Sequence, residues 1–277
     1  MKNSIYPCIW FNQTAKVASE FYIETFGEGK ITTSNSMLTS FELMGQKFLG
    51  INGGTEFSAN PSVSYFVYCE GNHQKLEQLY EKLSEDGMIL MPLGKYDWSE
   101  KYAWVQDRFG VSWQLDIDPI NNAQKIVPAF LFVNEKSQKI KEAVAFYTNV
   151  FTESKVLMES SFPDSNDLLF AQFKLKNYIF NAMSGGKEKH QFDFSEGNSF
   201  FIECETQEEI DHYWTNFSNG GNESQCGWVQ DKYGIWWQVI PKKLTEWMTN
   251  PELAPKISQA FYKMKKINLK ILEEIAG

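Results

Sequence analysis

The sequence predicts an α+β protein in which helices pack on one face of curled, mostly antiparallel sheets. Two observations support this prediction. The same succession of segments occurs twice along the chain, and within each half an extended run, a helix and three further extended runs occur twice. The chain therefore contains four predicted β-α-β-β-β modules, an arrangement that suggests sheets curled around a cleft.

The internal repeat is clearest near the end of each half. The segment AWVQDRFGVSWQLDI (103–117) returns as GWVQDKYGIWWQVIP (227–241), with Arg/Lys, Phe/Tyr and Val/Ile exchanges. Earlier segments match in the same order, among them SYFVYCE (64–70) with SFFIECE (199–205). We therefore predict two homologous domains, 1–121 and 122–241, followed by a C-terminal helical tail, 242–277.

Each half contains the same elements in order. It opens with an extended apolar run, Ile5–Phe11 or Ile126–Phe132, and a helix follows in AKVASEFYIETF or KEAVAFYTNVF. Alternating strands come next, and a second helix is predicted in KLEQLYEKLSEDG and EEIDHYWTNFSNGG. A hairpin with the turn DRFG or DKYG closes each half.

The tail is predicted to form one amphipathic helix docked on the rest of the molecule, with its lysines in solvent. Apolar residues recur there at helical spacing, namely Ile257, Phe261, Met264, Ile271 and Ile275.

Charge and composition disfavour several classes of partner. The chain has 26 basic and 35 acidic residues, a net charge of −9 and a pI near 5.0, which argues against nucleic acid or an anionic membrane as partner. No stretch approaches a membrane span, and the N-terminus lacks the pattern of a secretory signal. The four cysteines form no CxxC pair, so a reduced, cytoplasmic location is expected.

The repeated segments also resemble a known family. The runs PCIWF and PAFLF, the helices containing FYIETF and FYTNVF, and the WVQDRFGVSWQ and WVQDKYGIWWQ hairpins resemble the PhnB-like branch of the glyoxalase/bleomycin-resistance superfamily. That branch is also labelled demethylubiquinone methyltransferase-like. The resemblance covers nearly the whole chain and implies the vicinal-oxygen-chelate fold, in which paired βαβββ modules form a half-open barrel around a central pocket.

The resemblance also bears on metal binding. Metal-dependent members of the superfamily place His, Glu or Gln ligands on inward positions of the first strand, a middle strand and the last strand. The matching residues are Pro7, Ser64 and Gln114 in the first half and Pro128, Ser199 and Gln238 in the second. Only the glutamines could be ligands, and an amide oxygen alone binds divalent ions poorly. We therefore expect no metal ligands and no cofactor.

Other candidates for chemistry have simpler interpretations. His73, His190 and His212 fall outside the predicted inward strand positions. Glu203 lies on an inward position near a strand end and is the one acidic residue that could complicate the argument against a metal site. Asp107 and Asp231 each start a hairpin turn, where capping of the backbone is favoured over general-base catalysis. Cys226 is interpreted as an inert loop cysteine. The glycine pairs at 53–54 and 185–186 lack the spacing of a phosphate-binding loop, so nothing supports nucleotide or S-adenosylmethionine binding.

Strand alternation predicts a ligand-binding cleft in each half. In the last strand of the first half, Ser112, Gln114 and Asp116 should face the cleft, and Val111, Trp113 and Leu115 the helices. The predicted ligand-binding residues are Ile9, Phe11, Phe48, Ser64, Phe66 and Gln114 in the first half, and Phe130, Ser199, Phe201, Trp236 and Gln238 in the second. An aromatic wall with few polar groups suits a flat or apolar small molecule.

Two alternatives stay open for these clefts. Each glutamine either binds a ligand or bridges neighbouring strands. The aromatic rings either line a pocket or fill it, and Trp236, which replaces Ser112, makes the second cleft the more filled of the two.

Three functions are therefore compatible with the sequence. The favoured one is metal-independent binding of a small-molecule ligand, with the two domains packed as an internal pseudo-dimer. The alternatives are a metal-dependent lyase, isomerase or dioxygenase, and a structural or interaction protein. Whether the whole chain also forms a homodimer, and which residues would be catalytic, stay undecided.

Overall fold

The computed structural model describes residues 4–277, which divide into two compact units. The smaller unit contains residues 4–6 together with 199–277, and the larger contains residues 7–198. No helix among these described residues is long and apolar enough to cross a membrane.

Four βαβββ modules follow one another along the chain, as the sequence predicts. The first contains β1 (Ile5–Phe11), α1 (Ala15–Phe26), β2 (Gly29–Ser34), β3 (Leu38–Leu43) and β4 (Gln46–Asn52). The second contains β5 (Val63–Tyr68), α2 (His73–Ser84), β6 (Met88–Tyr96), β7 (Ser99–Gln106) and β8 (Ser112–Asp116). The third contains β9 (Ile126–Phe132), α3 (Ile140–Val150), β10 (Lys155–Ser161), β11 (Leu168–Leu175) and β12 (Tyr178–Ser184). The fourth contains β13 (Asn198–Cys204), α4 (Gln207–Ser218), β14 (Asn222–Glu223), β15 (Trp228–Gln230) and β16 (Trp236–Pro241).

The larger unit contains an eight-stranded sheet in the order β10-β11-β12-β9-β5-β8-β7-β6. The pairs β12–β9 and β5–β8 are parallel, and the other neighbours are antiparallel. The second and third modules therefore share one sheet, joined in its middle by the antiparallel pair β5–β9. The same unit also holds residues 7–11 of β1 together with β4, β3 and β2, in the order β1-β4-β3-β2, in which only β1–β4 is parallel.

The predicted domain boundaries stay a prediction, because the compact units follow another division of the chain. Strands β5–β8 belong to the first sequence half and β9–β12 to the second, yet they pair in one sheet. The sequence repeat places the second module with the first and the third with the fourth, whereas the sheet joins the second module to the third.

Aromatic side chains fill the helix-facing cores. The ring centroid of Tyr22 on α1 lies 5.2 Å from that of Trp113. Tyr147 on α3 stacks on Phe173 with ring centroids 6.2 Å apart. Gly27 ends α1 with a φ of 68°, a left-handed conformation that suits glycine. At the start of α2, the Asn72 side chain accepts a hydrogen bond from a backbone N–H of the first turn.

The smaller unit contains the strand order β14-β15-β16-β13, with β13 and β16 parallel. Helix α4 packs on this sheet through Phe217, whose ring lies parallel to that of Trp237 with centroids 4.9 Å apart. The tail adds α5 (Leu244–Thr249), α6 (Ala254–Phe261) and α7 (Leu269–Ala276).

The prediction of one continuous tail helix is wrong. Between α6 and α7, the carbonyls of Met264 and Lys265 accept hydrogen bonds from the backbone N–H groups of Cys226 and Gly227. This pairing uses backbone groups that a helix would need, and α7 starts afresh at its N-cap, Asn268. The tail is nevertheless docked, since Ile257, Phe261, Leu269 and Leu272 are buried.

Candidate functional site

Two sheet faces carry the polar and aromatic residues that the repeat shares. The first, in the larger unit, is called the Gln114 face and consists of Ser64, Phe66, Tyr102, Trp104, Ser112 and Gln114. The second, in the smaller unit, is called the Gln238 face and consists of Tyr6, Ser199, Phe201, Trp228, Trp236 and Gln238. Residues two apart on a strand share a face, which places each glutamine beside a serine and a phenylalanine of the neighbouring strand.

The Gln114 amide is bonded at both ends. Its nitrogen donates to Ser64 Oγ at 2.6 Å and lies 3.4 Å from Met183 Sδ, and its oxygen accepts a hydrogen bond from the Tyr102 hydroxyl. Gln114 is fully buried. On this face the glutamine therefore bridges neighbouring strands and has no polar atom left for a ligand.

Further aromatic rings cover Tyr102. The rings of Tyr96 and Trp98 lie edge-on to it, with centroids 5.5 and 5.6 Å away, and the Phe66 ring is tilted against it with a centroid 6.2 Å away. Burial raises the pKa of the Tyr102 hydroxyl well above its usual value, so this hydroxyl stays protonated and can donate. Side chains of the protein itself thus fill the Gln114 face.

Polar side chains around this face are also paired. Trp104 Nε1 donates to Ser112 Oγ at 2.6 Å, and Asp116 accepts from Ser99 Oγ at 2.7 Å. Desolvation raises the pKa of Asp116, and its hydrogen bonds oppose the rise. The Tyr68 hydroxyl accepts from the Asn181 side-chain amide at 3.3 Å, and burial raises the pKa of Tyr68 to about 12.

The Gln238 face repeats the glutamine–serine pair without the tyrosine. Gln238 Nε2 donates to Ser199 Oγ at 2.9 Å, and Phe201 and Trp228 lie opposite Gln238 on the two neighbouring strands. Phe201 and Trp228 are only partly buried. The chain position that corresponds to Tyr102, two residues before the repeated WVQD, is Cys226.

Trp236 supplies a buried donor on the Gln238 face. Among residues 4–277 its indole Nε1 has no hydrogen-bond partner, and the residue is only 8% exposed. The ring lies edge-on to Trp228, with centroids 6.1 Å apart. A buried N–H without a partner costs about 1–3 kcal/mol, so this atom marks a place for an acceptor.

A tyrosine and a carboxylate lie at the far end of the same face. Tyr6 stacks on Phe201 at 5.2 Å with an interplanar angle of 14°, and its hydroxyl donates to Glu203 Oε1 at 2.9 Å. Glu203, predicted to face inward, therefore lies on this face as a hydrogen-bond acceptor for Tyr6.

Three predicted first-half cleft residues face α1 instead, namely Ile9, Phe11 and Phe48. Phe48 stacks on Phe41, which stacks in turn on Tyr22 of α1. Phe11 also lies on the side of the sheet that faces α1. A Cβ added to Gly50 would lie 3.0 Å from the Phe11 ring and 3.0 Å from Ala15 of α1, so both side chains lie on this side of Gly50. Ile9 shares the face of Phe11 by strand alternation and is fully buried. These residues belong to the helix-facing core, which corrects their predicted placement.

Phe130 requires the same correction. It lies 6.1 Å from Tyr147 on α3 and stacks on Phe180 at 5.3 Å. Its neighbours on β9, Val127 and Ala129, pack instead against the cluster that contains Phe66 and Tyr102. Ser64, Phe66, Gln114, Ser199, Phe201, Trp236 and Gln238 do lie on the two faces, and their role in ligand binding stays a prediction.

The repeated aspartates cap their turns. Asp107 Oδ1 accepts from the backbone N–H groups of Phe109 and Val111, and Oδ2 accepts from Trp113 Nε1 at 2.8 Å. Asp231 makes the corresponding bonds to Tyr233, Ile235 and Trp237. Both side chains are buried away from the two faces, as the turn interpretation predicts.

The residues present do not fit a divalent metal. Pro7 and Pro128 offer no side-chain donor, and both glutamine amides donate to the serines beside them. Within residues 4–277, no three His, Cys, Asp or Glu side chains are grouped to hold a metal ion. His190 lies in a loop, where its Nε2 is 3.1 Å from the Gly185 carbonyl oxygen. Burial raises the pKa of the Cys226 thiol, which lowers its reactivity.

Strand alternation in the sequence missed Tyr102, Trp228 and Tyr6. Comparing the two halves position by position could have found the first, because the exchange of Tyr102 for Cys226 stands directly before a strongly repeated segment. Tyr6 lies in a strand that is apolar on both faces, where alternation gives no signal.

Comparisons with known proteins agree with this architecture. The family model described as 3-demethylubiquinone-9 3-methyltransferase matches the sequence twice, over residues 3–116 and 124–240. A PhnB protein of Bacillus cereus, described with the same methyltransferase name, is 32% identical over 39% of this chain and 95% of its own, with a TM-score of 0.37. No protein of curated function matches the chain.

Two larger structures show similarity in fold. Glyoxalase I from Zea mays is 11% identical, with a TM-score of 0.56 over 84% of this chain and 89% of its own. A candidate dioxygenase from Bacillus subtilis is 8% identical, with a TM-score of 0.53 over 87% of this chain and 86% of its own. These similarities confirm the predicted glyoxalase-type, vicinal-oxygen-chelate fold and say nothing of chemistry.

Proposed function

Because this chain belongs to the 3-demethylubiquinone-9 3-methyltransferase family, the PhnB-like branch of the vicinal-oxygen-chelate superfamily, we propose that it binds a small organic molecule on the Gln238 face without a metal. The observation that supports this most directly is the buried indole N–H of Trp236, which has no hydrogen-bond partner in the part of the chain that the structure describes. An acceptor on a ligand would satisfy this donor and recover the free energy lost by burying it.

The surroundings of Trp236 favour a flat molecule. Phe201 and Trp228 are partly exposed aromatic rings on the strands beside Gln238, and Ser199 holds the glutamine amide in place. Rings of this kind bury a planar ligand, while a few fixed polar groups orient it. On the Gln114 face the corresponding groups bond to one another, which supports a structural role for that face.

Neither metal-dependent catalysis nor methyl transfer is part of this proposal. The serine–glutamine pairs offer no anionic or imidazole ligand, so the donor chemistry disfavours a lyase, isomerase or dioxygenase that works through a divalent ion. The glycine pairs do not form a phosphate cradle: Gly53 N–H donates to the Phe11 carbonyl, and a Cβ on Gly185 would lie 3.0 Å from His190.

We place this function in the cytoplasm. The four cysteines carry thiols rather than disulfides, and three of them are buried. This is the pattern expected in a reducing compartment.

The test uses 2-acetylnaphthalene, a flat apolar probe whose carbonyl can accept a hydrogen bond and which has no donor. Saturation-transfer NMR should give binding to one site, unchanged by a chelator. Trp236→Phe should weaken that binding about tenfold, the worth of one hydrogen bond. Trp104→Phe, which removes an indole N–H from the Gln114 face, is the control and should leave the affinity unchanged. Absence of saturable binding, or equal affinity in both variants, would contradict the proposal.

A further inference from the structure

We infer that the Gln238 face takes a phenol, that is, an aromatic ring carrying a hydroxyl group. This inference rests on the proposed function and adds the chemical class of the ligand. It comes from comparing the two faces, because on the Gln114 face a tyrosine of the protein bonds to the glutamine, whereas the tyrosine on the Gln238 face bonds to Glu203.

Tyr102 supplies an internal phenol to the Gln114 face. Its hydroxyl donates to the Gln114 amide oxygen, and its ring packs against Phe66 with centroids 6.2 Å apart. The side chain of tyrosine is a phenol joined to the backbone through one methylene. The Gln114 face therefore shows which molecule fits a serine–glutamine–phenylalanine arrangement of this kind.

The Gln238 face keeps this arrangement, but its own tyrosine, Tyr6, donates its hydroxyl to Glu203 at the far end of the face. Ser199, Phe201 and Gln238 correspond in sequence to Ser64, Phe66 and Gln114, and Cys226 stands where Tyr102 would be. Cys226 has a φ of 60° and lies outside the strands, in the segment whose backbone pairs with Met264. A thiol on a loop cannot place a ring and a hydroxyl over the glutamine.

The orientation of the amide sets the polarity of the ligand. In both faces the amide nitrogen donates to the serine, at 2.6 Å for Gln114 and 2.9 Å for Gln238. The amide oxygen of Gln238 therefore corresponds to the Gln114 oxygen, which accepts a hydrogen bond from the Tyr102 hydroxyl on the other face. A matching ligand must bring a donor, and a phenol hydroxyl is such a donor.

Trp236 carries a buried donor that has no counterpart on the Gln114 face. Its buried N–H requires an acceptor, whereas the residue at the matching position, Ser112, already accepts from Trp104. A phenol oxygen donates one proton and accepts through its lone pairs, so a single hydroxyl group provides both functions. The Glu203 carboxylate on the same face disfavours a ligand that carries its own negative charge nearby.

The first test compares phenol with benzene and anisole, which share its ring but cannot donate a hydrogen bond. Isothermal titration of the full chain should show phenol binding at least about tenfold more tightly than either, as one hydrogen bond predicts. Gln238→Leu should abolish this preference. Gln225→Leu, an exposed glutamine on the preceding loop, should retain it.

The second test removes the internal phenol. Tyr102→Ala should open the Gln114 face and raise the number of phenol sites from one to two. If this variant does not fold, the ligand series on the unaltered chain and on Gln238→Leu decides by itself.

Two outcomes separate this inference from the proposed function. If 2-acetylnaphthalene binds but phenol shows no preference over benzene, or keeps its preference in Gln238→Leu, the phenol inference is overturned and the binding function stands. If no aromatic probe binds at all, both are overturned.

Discussion

Asp107 shows how a buried carboxylate can stabilise a turn and still reduce stability at neutral pH. It is only 4% exposed, and burial raises its pKa from the usual 3.8 to about 6, although its bonds to Trp113, Phe109 and Val111 oppose the rise. Between these two pKa values the folded chain holds a proton that the unfolded chain has released. Its contribution to stability is therefore largest at low pH and falls as the pH rises towards about 6.

Replacement of this group by an amide tests that dependence. Asp107→Asn should be less stable than the natural chain, because an amide cannot accept at both positions. The difference in free energy of unfolding between the natural chain and the variant should shrink by about 2 kcal/mol between about pH 4.5 and pH 7. Only the natural chain has a carboxyl group at this position, and the folded form loses its proton in this range. Urea unfolding at several pH values measures both effects, with Asp164→Asn in an exposed loop as the control for charge. A gap that stays constant with pH would contradict this account.

At the residue scale, the success of prediction depends on how strand faces are marked. On β8 the serine, glutamine and aspartate mark one side, so alternation assigns Gln114 to the correct face. On β9 all seven residues are buried, and on β1 all but Trp10, so alternation gives no choice between sides. That is why Ile9, Phe11 and Phe130 are misplaced in the prediction, whereas Gln238 is not.

At the scale of helices and strands, the sequence predicts an element well where its periodicity agrees with its capping residues. It predicts an element poorly where backbone groups that a helix would use are paired instead with a distant part of the chain. The four modules follow from repeated patterns in the sequence. The break in the tail does not, because it depends on backbone pairing between residues 226–227 and 264–265, which are distant along the chain. Helical spacing in the tail therefore predicted docking and missed the interruption.

The last helix offers a matched pair of substitutions for its docking. Leu272 is fully buried on α7, whereas its neighbour Ile271 is 43% exposed. Leu272→Ala should lower the free energy of unfolding by about 2–4 kcal/mol, the range for removing a buried leucine side chain. Ile271→Ala should cost less than about 1 kcal/mol. Equal losses in chemical unfolding of the two variants would mean that α7 does not use this face.

Gly197, which precedes β13, lies close to the backbone of Ser58 in the larger unit, and a substitution can test this contact. A Cβ on Gly197 would lie 1.9 Å from the Ser58 carbonyl oxygen, and the Gly197 carbonyl accepts from the Trp10 N–H. Gly197→Ala should destabilise the chain by at least about 1–3 kcal/mol, because backbone must move. Gly94→Ala is the control, since no described residue has an atom within 4 Å of its added Cβ. A thermal midpoint for Gly197→Ala that matches the control would refute this close approach.

At the scale of the whole molecule, the sequence repeat and the sheet impose different divisions. The repeat divides the chain near residues 121 and 122, yet β5 of the first half pairs with β9 of the second through residues such as Val63 and Phe130. Phe66 and Tyr102 also share a hydrophobic cluster with residues of the second half, including Ile179. Each half therefore leaves part of its apolar surface for the other to bury.

Separate expression of residues 1–121 and 122–277 tests this dependence. Neither fragment alone should give a folded monomer, because a sheet edge and the apolar face beside it would be exposed to water. Co-expression should yield a one-to-one complex, seen by size-exclusion chromatography with light scattering, whose unfolding midpoint rises with concentration. The uncut chain is the control, and its midpoint should not depend on concentration. A stable monomer of 1–121 with cooperative unfolding would show instead that the sequence repeat is also the unit of folding.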